Sequence, residues 1–419
     1  MSTLLCLLYL VAAVVMLIVP KTRYMGKIML TLSIVVLTPF MVLYAFIVAA
    51  FSSANILVVI CAPVLCAAIA VLLLGIIWGF IKKKKWYIPL SVILLLSALP
   101  LGVIYSHKAY INSIPTVGEG RSVLYDYTPY EYNSKTASLD KEASLLLSDN
   151  LPKMDGATAL YPVYAAFAKA VYPKDIFFDE KGNVENYHNN EYVTCTTTSN
   201  AYGKIVTGEA DIIFVASPSK EQDQFAYDSG VELMYTPIGN EAFVFFVNSK
   251  NPIEDITLEQ VQKIYSGEIK DWSELGVNGL GEIRAFQREE GSGSQSTLIK
   301  LMAGKSLAEP QKEDVVDGMG GIISRTADYK NYKNAIGYSF RFYSTEMVKN
   351  NQIKLLKING IEPSLENIEN GTYPIAGNFY AVTRSNPSEN TLKLLEWIQS
   401  EEGQKLIEKT GYTPLINEE

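Results

Sequence analysis

The segment Arg288-Glu-Glu-Gly-Ser-Gly-Ser294 places a guanidinium, two hydroxyls and a glycine-permitted tight backbone just before a helical pattern. This is anion-binding chemistry. Free N–H groups and the positive end of a helix dipole favour an oxyanion there, and arginine donates two parallel hydrogen bonds to one tetrahedral ion. The same residues taken alone also suit an ordinary helix cap, with Arg288 paired to Glu289 or Glu290. Two further hydroxyl-rich turns precede helical patterns, Asp155-Gly-Ala-Thr-Ala-Leu-Tyr-Pro162 and Thr196-Thr-Thr-Ser-Asn200. Each alone is an N-cap by frequency; three converging on one ligand would make an oxyanion seat.

Other chemistries are poorly supplied. The only histidines are His107, directly after an apolar run, and His188, in the polar loop Asn186-Tyr-His-Asn-Asn190 where a solvated side chain is expected. Cys6, Cys61 and Cys66 lie in apolar surroundings, and Cys195 reads as a small packed residue rather than a redox centre. No Cys-rich zinc site or disulfide framework can be built, and no G-x-S-x-G nucleophile pattern is present. We therefore expect no catalytic residue, no metal and no cofactor. An enzyme acting on phosphorylated or acylated material would need a base beside Ser292 or Ser294.

The charge distribution divides the chain. Residues 1–110 carry eight Lys or Arg and no acid, whereas the remainder holds 28 basic residues and all 44 acids. Such an acidic C-terminal part excludes a nucleic-acid binder working by bulk electrostatics. Four apolar runs, Leu4 to Pro20, Ile28 to Phe51, Ile56 to Ile81 and Ile88 to Tyr105, lack formal charge and approach or exceed the ~20 residues of a membrane-crossing helix. Pro39, Pro63 and Pro100 fall inside them, which lipid-embedded helices tolerate. The first run has no basic residue ahead of it, so it reads as a retained helix rather than a signal peptide. Lys21, Arg23, Lys27 and the Lys82 to Lys85 run mark the first and third connections as cytoplasmic. The N-terminus and everything after residue 106 are then expected outside.

From Ser106 to about Pro152 the chain is rich in Tyr, Ser and charge, including Leu124-Tyr-Asp-Tyr-Thr-Pro-Tyr-Glu-Tyr132, without sustained apolar periodicity. It reads as a stalk, or as a segment whose aromatics pack against the domain or the membrane surface. Beyond Pro152, short β-rich runs alternate with helical patterns, predicting an α/β domain with largely parallel sheets. Helix is expected over Pro162–Val171, and strands over Ala210–Ala216, Ala242–Val247 and Ile283–Phe286. Thr257-Leu-Glu-Gln260 forms a capping box, and a last helical stretch runs over Thr391–Thr410 with Gly411 ending it.

These residues resemble the phosphate-binding proteins that deliver phosphate to ABC importers. The resemblance runs from about Leu151 to Pro414. Its marks are Gly156-Ala-Thr-Ala-Leu-Tyr-Pro162, Gly208-Glu-Ala-Asp-Ile-Ile-Phe-Val-Ala-Ser217, Asn251-Pro252 followed by Thr257 to Leu275, the Arg288 to Ser294 motif, and Ala335-Ile-Gly-Tyr338. It implies an α/β fold: a two-lobed type II periplasmic-binding-protein-like domain, here preceded by a four-helix transmembrane region. The expected divisions are 1–106 for the membrane helices, 107–150 for an extracytoplasmic stalk and 151–419 for the binding domain.

By that resemblance Thr158 binds an oxyanion oxygen through its hydroxyl and Ala159 through its backbone N–H, while Ser199 adds a hydroxyl. Arg288, Ser292, Ser294 and the Gly293 N–H close from the second lobe. Hinge crossings are expected near Met234 to Phe246 and Tyr373 to Ala381. One departure stands out. The family usually has an aspartate shortly after the strand near Ala216, accepting the proton of hydrogen phosphate, whereas this chain reads Ala216-Ser-Pro-Ser219. A carboxylate there penalises a fully deprotonated oxyanion such as sulfate. Ser217 and Glu241 are the replacements to consider; Asp211 is expected to face solvent or cap a turn.

The expectation is a membrane-anchored, outward-facing receptor for phosphate or a related tetrahedral oxyanion, closing by a hinge. The chain lacks G-x-x-x-x-G-K-[ST], so ATP-driven import would need separate ABC permease and ATPase subunits. The alternative is an oxyanion or small-ligand sensor signalling through its helices. No Asp, Glu, Lys or Arg lies within the apolar runs to support the polar pairing such a relay uses.

Overall fold

Long uninterrupted apolar stretches in the N-terminal part satisfy their backbone groups as helices. The structure, a computed structural model, describes residues 11–52, 55–80, 84–114, 116–118, 122–288, 291–309, 315–316, 328–330, 332–347 and 352–415. The chain forms two compact units, Met1–Ile114 and Pro115–Glu419.

In the first unit, helices α1 (Arg23–Ser52), α2 (Ile56–Trp78) and α3 (Lys84–Ser113) carry the apolar runs. Each contains a segment long and apolar enough to cross a bilayer. The first expected run is helical over residues 11–18, and its residues 4–10 lie outside the described residues. This short helix packs tightly on α1: a Cβ on Gly26 would stand 2.8 Å from the Ala13 carbonyl oxygen. Asn55 caps α2 by accepting the Leu57 N–H at 2.9 Å, and Gly79 ends it at φ +75°. Near one end of the hairpin, Trp78 Nε1 donates to Thr31 Oγ1 at 2.9 Å and Lys27 Nζ sits 5.5 Å from the Trp78 ring centroid. An indole beside a lysine suits the level of lipid headgroups.

The second unit is built on one seven-stranded sheet. Its strands are β1 (Met154–Gly156), β2 (Ile212–Val215), β3 (Leu233–Asn248), β4 (Arg284–Ala285), β5 (Gln287–Arg288, outside this sheet), β6 (Ala335–Phe340), β7 (Ile353–Leu355) and β8 (Ala376–Arg384). The order is β1-β2-β8-β3-β6-β4, with β7 also on β3. Pairs β1–β2 and β6–β4 are parallel, but β8–β2, β8–β3, β6–β3 and β7–β3 are antiparallel. The expectation of largely parallel sheets is thus corrected to a mixed sheet. The cause is β3, a 16-residue strand that pairs with β8 over Leu233–Ala242 and with β6 over Phe243–Val247.

β3 therefore belongs to two layers with separate cores. Around its first part and β8 lies a core containing Phe167, Phe214 and Trp397, joined by a smaller cluster around Tyr202. Around its second part lies a core containing Phe245, Trp272 and Tyr338. Each fully buried large side chain contributes roughly 1.5–3 kcal/mol of burial free energy. The β3–β8 register slips between Phe379 and Tyr380, leaving Ile238 as an extra residue beside Pro237. Such a bulge bends the ribbon inside the first lobe's core, a few residues before β3 passes to the second core at Phe243.

Helices α4 (Tyr161–Val171), α5 (Thr198–Thr207), α6 (Lys220–Asp228), α7 (Leu258–Tyr265), α8 (Gly293–Leu301), α9 (Glu389–Gln399) and α10 (Glu401–Thr410) complete the lobes. In α7 the capping box forms: Gln260 N donates to Thr257 Oγ1 at 3.1 Å and Thr257 N to Gln260 Oε1 at 2.9 Å. The single last helix expected over Thr391–Thr410 is broken at Ser400, whose hydroxyl donates back to the Trp397 carbonyl at 2.6 Å. Between Ser122 and Pro152 the second alternative for the stalk holds. Leu124, Tyr127, Ala143 and Leu147 are buried in the first lobe's core.

Candidate functional site

The first lobe supplies two turns, joined by Asp155. This fully buried carboxylate accepts the N–H of Gly156 at 2.7 Å and of Thr196 at 2.8 Å on Oδ1. On Oδ2 it accepts the Thr196 hydroxyl at 2.7 Å and pairs with Lys204 Nζ at 2.9 Å. One side chain thus ties the turn leading to Thr158 to the turn leading to Ser199. Gly156 is required there, because a Cβ would stand 2.5 Å from the Phe214 carbonyl oxygen. Just before α5, Thr197 adopts φ 96° and ψ 164°, a region that β-branched residues rarely occupy. The strained residue turns the chain sharply, so that Thr198 and Ser199 open the helix.

The second lobe supplies the Arg288 loop and the N-terminus of α8. Ser292 is its N-cap, accepting the Gln295 N–H at 3.2 Å, which leaves the serine proton as a donor. The first intrahelical bond runs from Ser296 N to the Ser292 carbonyl, so the N–H groups of Gly293 and Ser294 lie ahead of it. Gln295 fixes the loop: its Oε1 accepts the Arg288 N–H at 2.9 Å and the Tyr338 hydroxyl proton. The Tyr338 oxygen in turn accepts the same Arg288 N–H at 3.0 Å. Burial holds the Tyr338 phenol well above its ordinary pKa, so it remains a donor. This is the structural use of the Ala335 to Tyr338 motif.

The two sets meet across the cleft. Ser199 Oγ donates to the Gly291 carbonyl at 2.6 Å, and Gln222 Nε2 reaches the same oxygen at 3.3 Å. A Cβ on Gly293 would stand 3.1 Å from Thr198 Oγ1, so the first residues of α5 and α8 face one another. Two positive helix ends from opposite lobes converge there. Thr158 opens a short turn over Thr158–Leu160 and is buried; the Ala159 carbonyl accepts the Tyr412 hydroxyl. Ser294 is buried in the first turn of α8. Glu289 and Glu290, the capping partners considered for Arg288, lie outside the described residues.

Sequence reasoning missed Asp155, Gln295 and Tyr338 as positioning residues. A charged or amide side chain at the edge of a hydroxyl-rich turn was the signal for Asp155 and Gln295, while Tyr338 was marked only as part of the Ala335 to Tyr338 motif. Of the replacements considered for the missing aspartate, Asp211 accepts the Lys153 N–H at 2.8 Å, at the other end of the short β1 strand from Gly156, and so ties the start of β1 to that of β2 rather than capping a turn. Ser219 heads α6 in a capping box with Gln222. Ser217 and Glu241 both line a cavity of about 310 Å³ that also takes in Ala159, Thr198 and Gly293. Glu241 is buried, accepting the Ala242 N–H at 2.8 Å and the Phe342 N–H at 3.2 Å. Burial raises its pKa to about 7, against these hydrogen bonds and the nearby Arg341. His188 is exposed and stacks on Tyr187, and Cys195 is packed in the first core.

Residues 149–402 match the family model described as the PBP superfamily domain. Among curated proteins, the chain is 30% identical over 173 residues to the phosphate-binding protein PstS of Bacillus subtilis, covering 41% of this chain and 54% of that one. It is 26% identical over 246 residues to the phosphate-binding protein PstS of Pseudomonas aeruginosa strain PAO1, covering 54% of this chain and 74% of that one. The chain thus spans about half the length of the first relative and about three quarters of the second. Among solved structures it is similar to a candidate phosphate ABC transporter substrate-binding protein from Clostridium perfringens, with 24% identity and a TM-score of 0.48 over 64% of this chain and 100% of that one.

Proposed function

The chain belongs to the PBP superfamily, whose members bind substrates rather than transform them, and from that premise we propose that its second unit is an extracytoplasmic receptor for phosphate or a related tetrahedral oxyanion. The observation that carries this reading is the convergence of the α5 and α8 N-termini, from opposite lobes, beside the Arg288 loop. In this reading Thr158, Ala159 and Ser199 engage the ion from the first lobe, and Arg288, Ser292, Gly293 and Ser294 from the second. Backbone N–H groups and hydroxyl protons satisfy its oxygens, and the guanidinium balances its charge. The bulged ribbon of β3 and β8 is the hinge about which the lobes open for entry and release.

The same proposal places the receptor at the membrane. The apolar helices α1, α2 and α3 anchor it, and the Lys27 end of the α1–α2 hairpin lies on the cytoplasmic side by its positive charge. Its relatives' names support phosphate as the ion; uptake through a separate ABC permease and ATPase is part of the proposal. Anchoring by helices would keep the receptor at high effective concentration near such a permease.

Calorimetric titration of the full chain in detergent, after an anion scavenger has removed carried-over ligand, tests the reading. Phosphate heat without sulfate heat supports a phosphate receptor in which another group supplies the discrimination of the missing aspartate. Comparable heats make it a general oxyanion receptor, and silence with both overturns the proposed seat.

A further inference from the structure

The cleft is larger than its oxyanion seat. The cavity of about 310 Å³ starts at Ala159 and Gly293 and follows α8 to Leu301, about 12 Å of helix at 1.5 Å per residue. A tetrahedral oxyanion is a handful of heavy atoms, whereas cavities of roughly 300–1,000 Å³ hold small organic molecules. Beyond the seat the walls are largely apolar, with the rings of Phe243, Phe340, Phe379 and Tyr412 among them.

Among the described residues, one acidic side chain stands in that lining, Glu241 on β3. Each carboxylate oxygen accepts one backbone N–H, from Ala242 and from Phe342, and lone pairs remain on both. Tyr412 connects it to the seat, since the tyrosine hydroxyl donates to the Ala159 carbonyl while its ring lies tilted against Phe342 and edge-on to Phe379. Among the described residues the one cation in the lining is Lys300, exposed on the last turn of α8, away from the α8 N-terminus. The first residues of α5 and α8 at Thr198 and Gly293, aromatic faces and a buried carboxylate line one cavity, and together they complement a molecule that is anionic at one end and cationic at the other.

We propose that the cleft takes a phosphate monoester with a short amine-bearing alkyl group, its phosphate on the α5 and α8 N-termini and its ammonium against Glu241 and the surrounding rings. The inference rests on the oxyanion seat proposed above and extends the class of ligand it receives. Inorganic phosphate would use the seat alone.

The test titrates the full chain in detergent with inorganic phosphate, 2-aminoethyl phosphate and n-propyl phosphate, the last two nearly equal in shape and differing in charge. The amine ester should bind about tenfold tighter than the propyl ester, the effect of one paired and partly desolvated cation. Its apparent affinity should also fall as inorganic phosphate is added, because both compounds use the seat. In Glu241→Gln the preference between the two esters should fall to about one, and in Phe340→Leu, which thins one wall, it should shrink severalfold. Equal affinity for the two esters in the unmodified protein overturns the inference while phosphate heat leaves the seat reading standing. An ester affinity unchanged by added phosphate also overturns it, because the amine compound would then sit elsewhere. Silence with all three compounds removes the seat and the inference together.

Discussion

Ser199 and Gly291, 92 residues apart in the chain, are joined across the cleft by a hydrogen bond of 2.6 Å from the serine hydroxyl to the glycine carbonyl. The contact demands glycine at position 291 twice over. Its φ is +84°, and a Cβ there would stand 2.6 Å from Ser199 Oγ. In Gly291→Ala the left-handed conformation costs about 1 kcal/mol and the added methyl group opposes closure. Oxyanion affinity should fall about tenfold or more, mainly through faster release. Stopped-flow dissociation measures it, and an unchanged release rate would mean that the added methyl group does not oppose closure.

Arg288 sits on β5 with its backbone N–H held by Gln295 and Tyr338, so its peptide is fixed independently of its guanidinium. Arg288→Ala removes a charge-assisted donor from the cleft while leaving the loop's anchors in place. A loss of about 3 kcal/mol, on the order of a hundredfold in affinity, is expected with little change in melting temperature. Calorimetry and thermal unfolding on the same preparation separate the two effects. Unaltered affinity would remove arginine from the seat.

Much of this was legible in local sequence. The glycine and serine residues of Gly291 to Ser294, the capping box at Thr257 and the stop at Gly411 act through neighbours within a few residues, and each formed as read. What local pattern does not carry is partnership at a distance. Parallel and antiparallel pairing look alike in an apolar run, so the two roles of β3 were hidden until its partners β8 and β6 were known. Tyr127 and Leu147 lie in a stretch without periodicity, because they fill gaps in another segment's core rather than forming the face of an element. Asp155 was read only as part of a hydroxyl-rich turn, although its partners at Thr196 and Lys204 make it the junction of two turns.

That junction makes Asp155 a test of positioning rather than of ligand contact. Asp155→Asn keeps the shape but loses the charge that faces Lys204, and it replaces one acceptor oxygen by a donor toward Thr196. Lys204 is partly exposed and recovers some hydration, so the cost should be on the order of 2 kcal/mol, below that of a fully buried broken pair. Chemical denaturation should show the destabilisation. Oxyanion affinity should fall as well, since Thr158 and the α5 N-terminus lose their common anchor. A variant that loses stability but keeps full affinity would show that the two turns hold their places separately.

Glu241 gives the second unit a pH dependence of unusual sign. Its carboxyl is raised to about 7 in the folded chain from 4.5, chiefly by burial, with Arg341 and the N–H groups of Ala242 and Phe342 acting against the rise. The folded state therefore binds more protons than the unfolded state between those values, and stability falls as pH rises through that interval. Most carboxylates with partners behave in the opposite way, their contribution being lost as pH falls. The loss should build from about pH 4.5 to pH 7 and level off above it, reaching on the order of 3 kcal/mol. Tyr412 faces the same carboxylate, but burial and that negative charge keep its phenol neutral throughout the interval. Glu241→Gln removes the titration, so the variant should gain stability relative to the unmodified chain as pH is raised from 5 to 8. Denaturation of both proteins at several pH values measures the difference, and parallel curves would show that Glu241 keeps an ordinary carboxylate pKa.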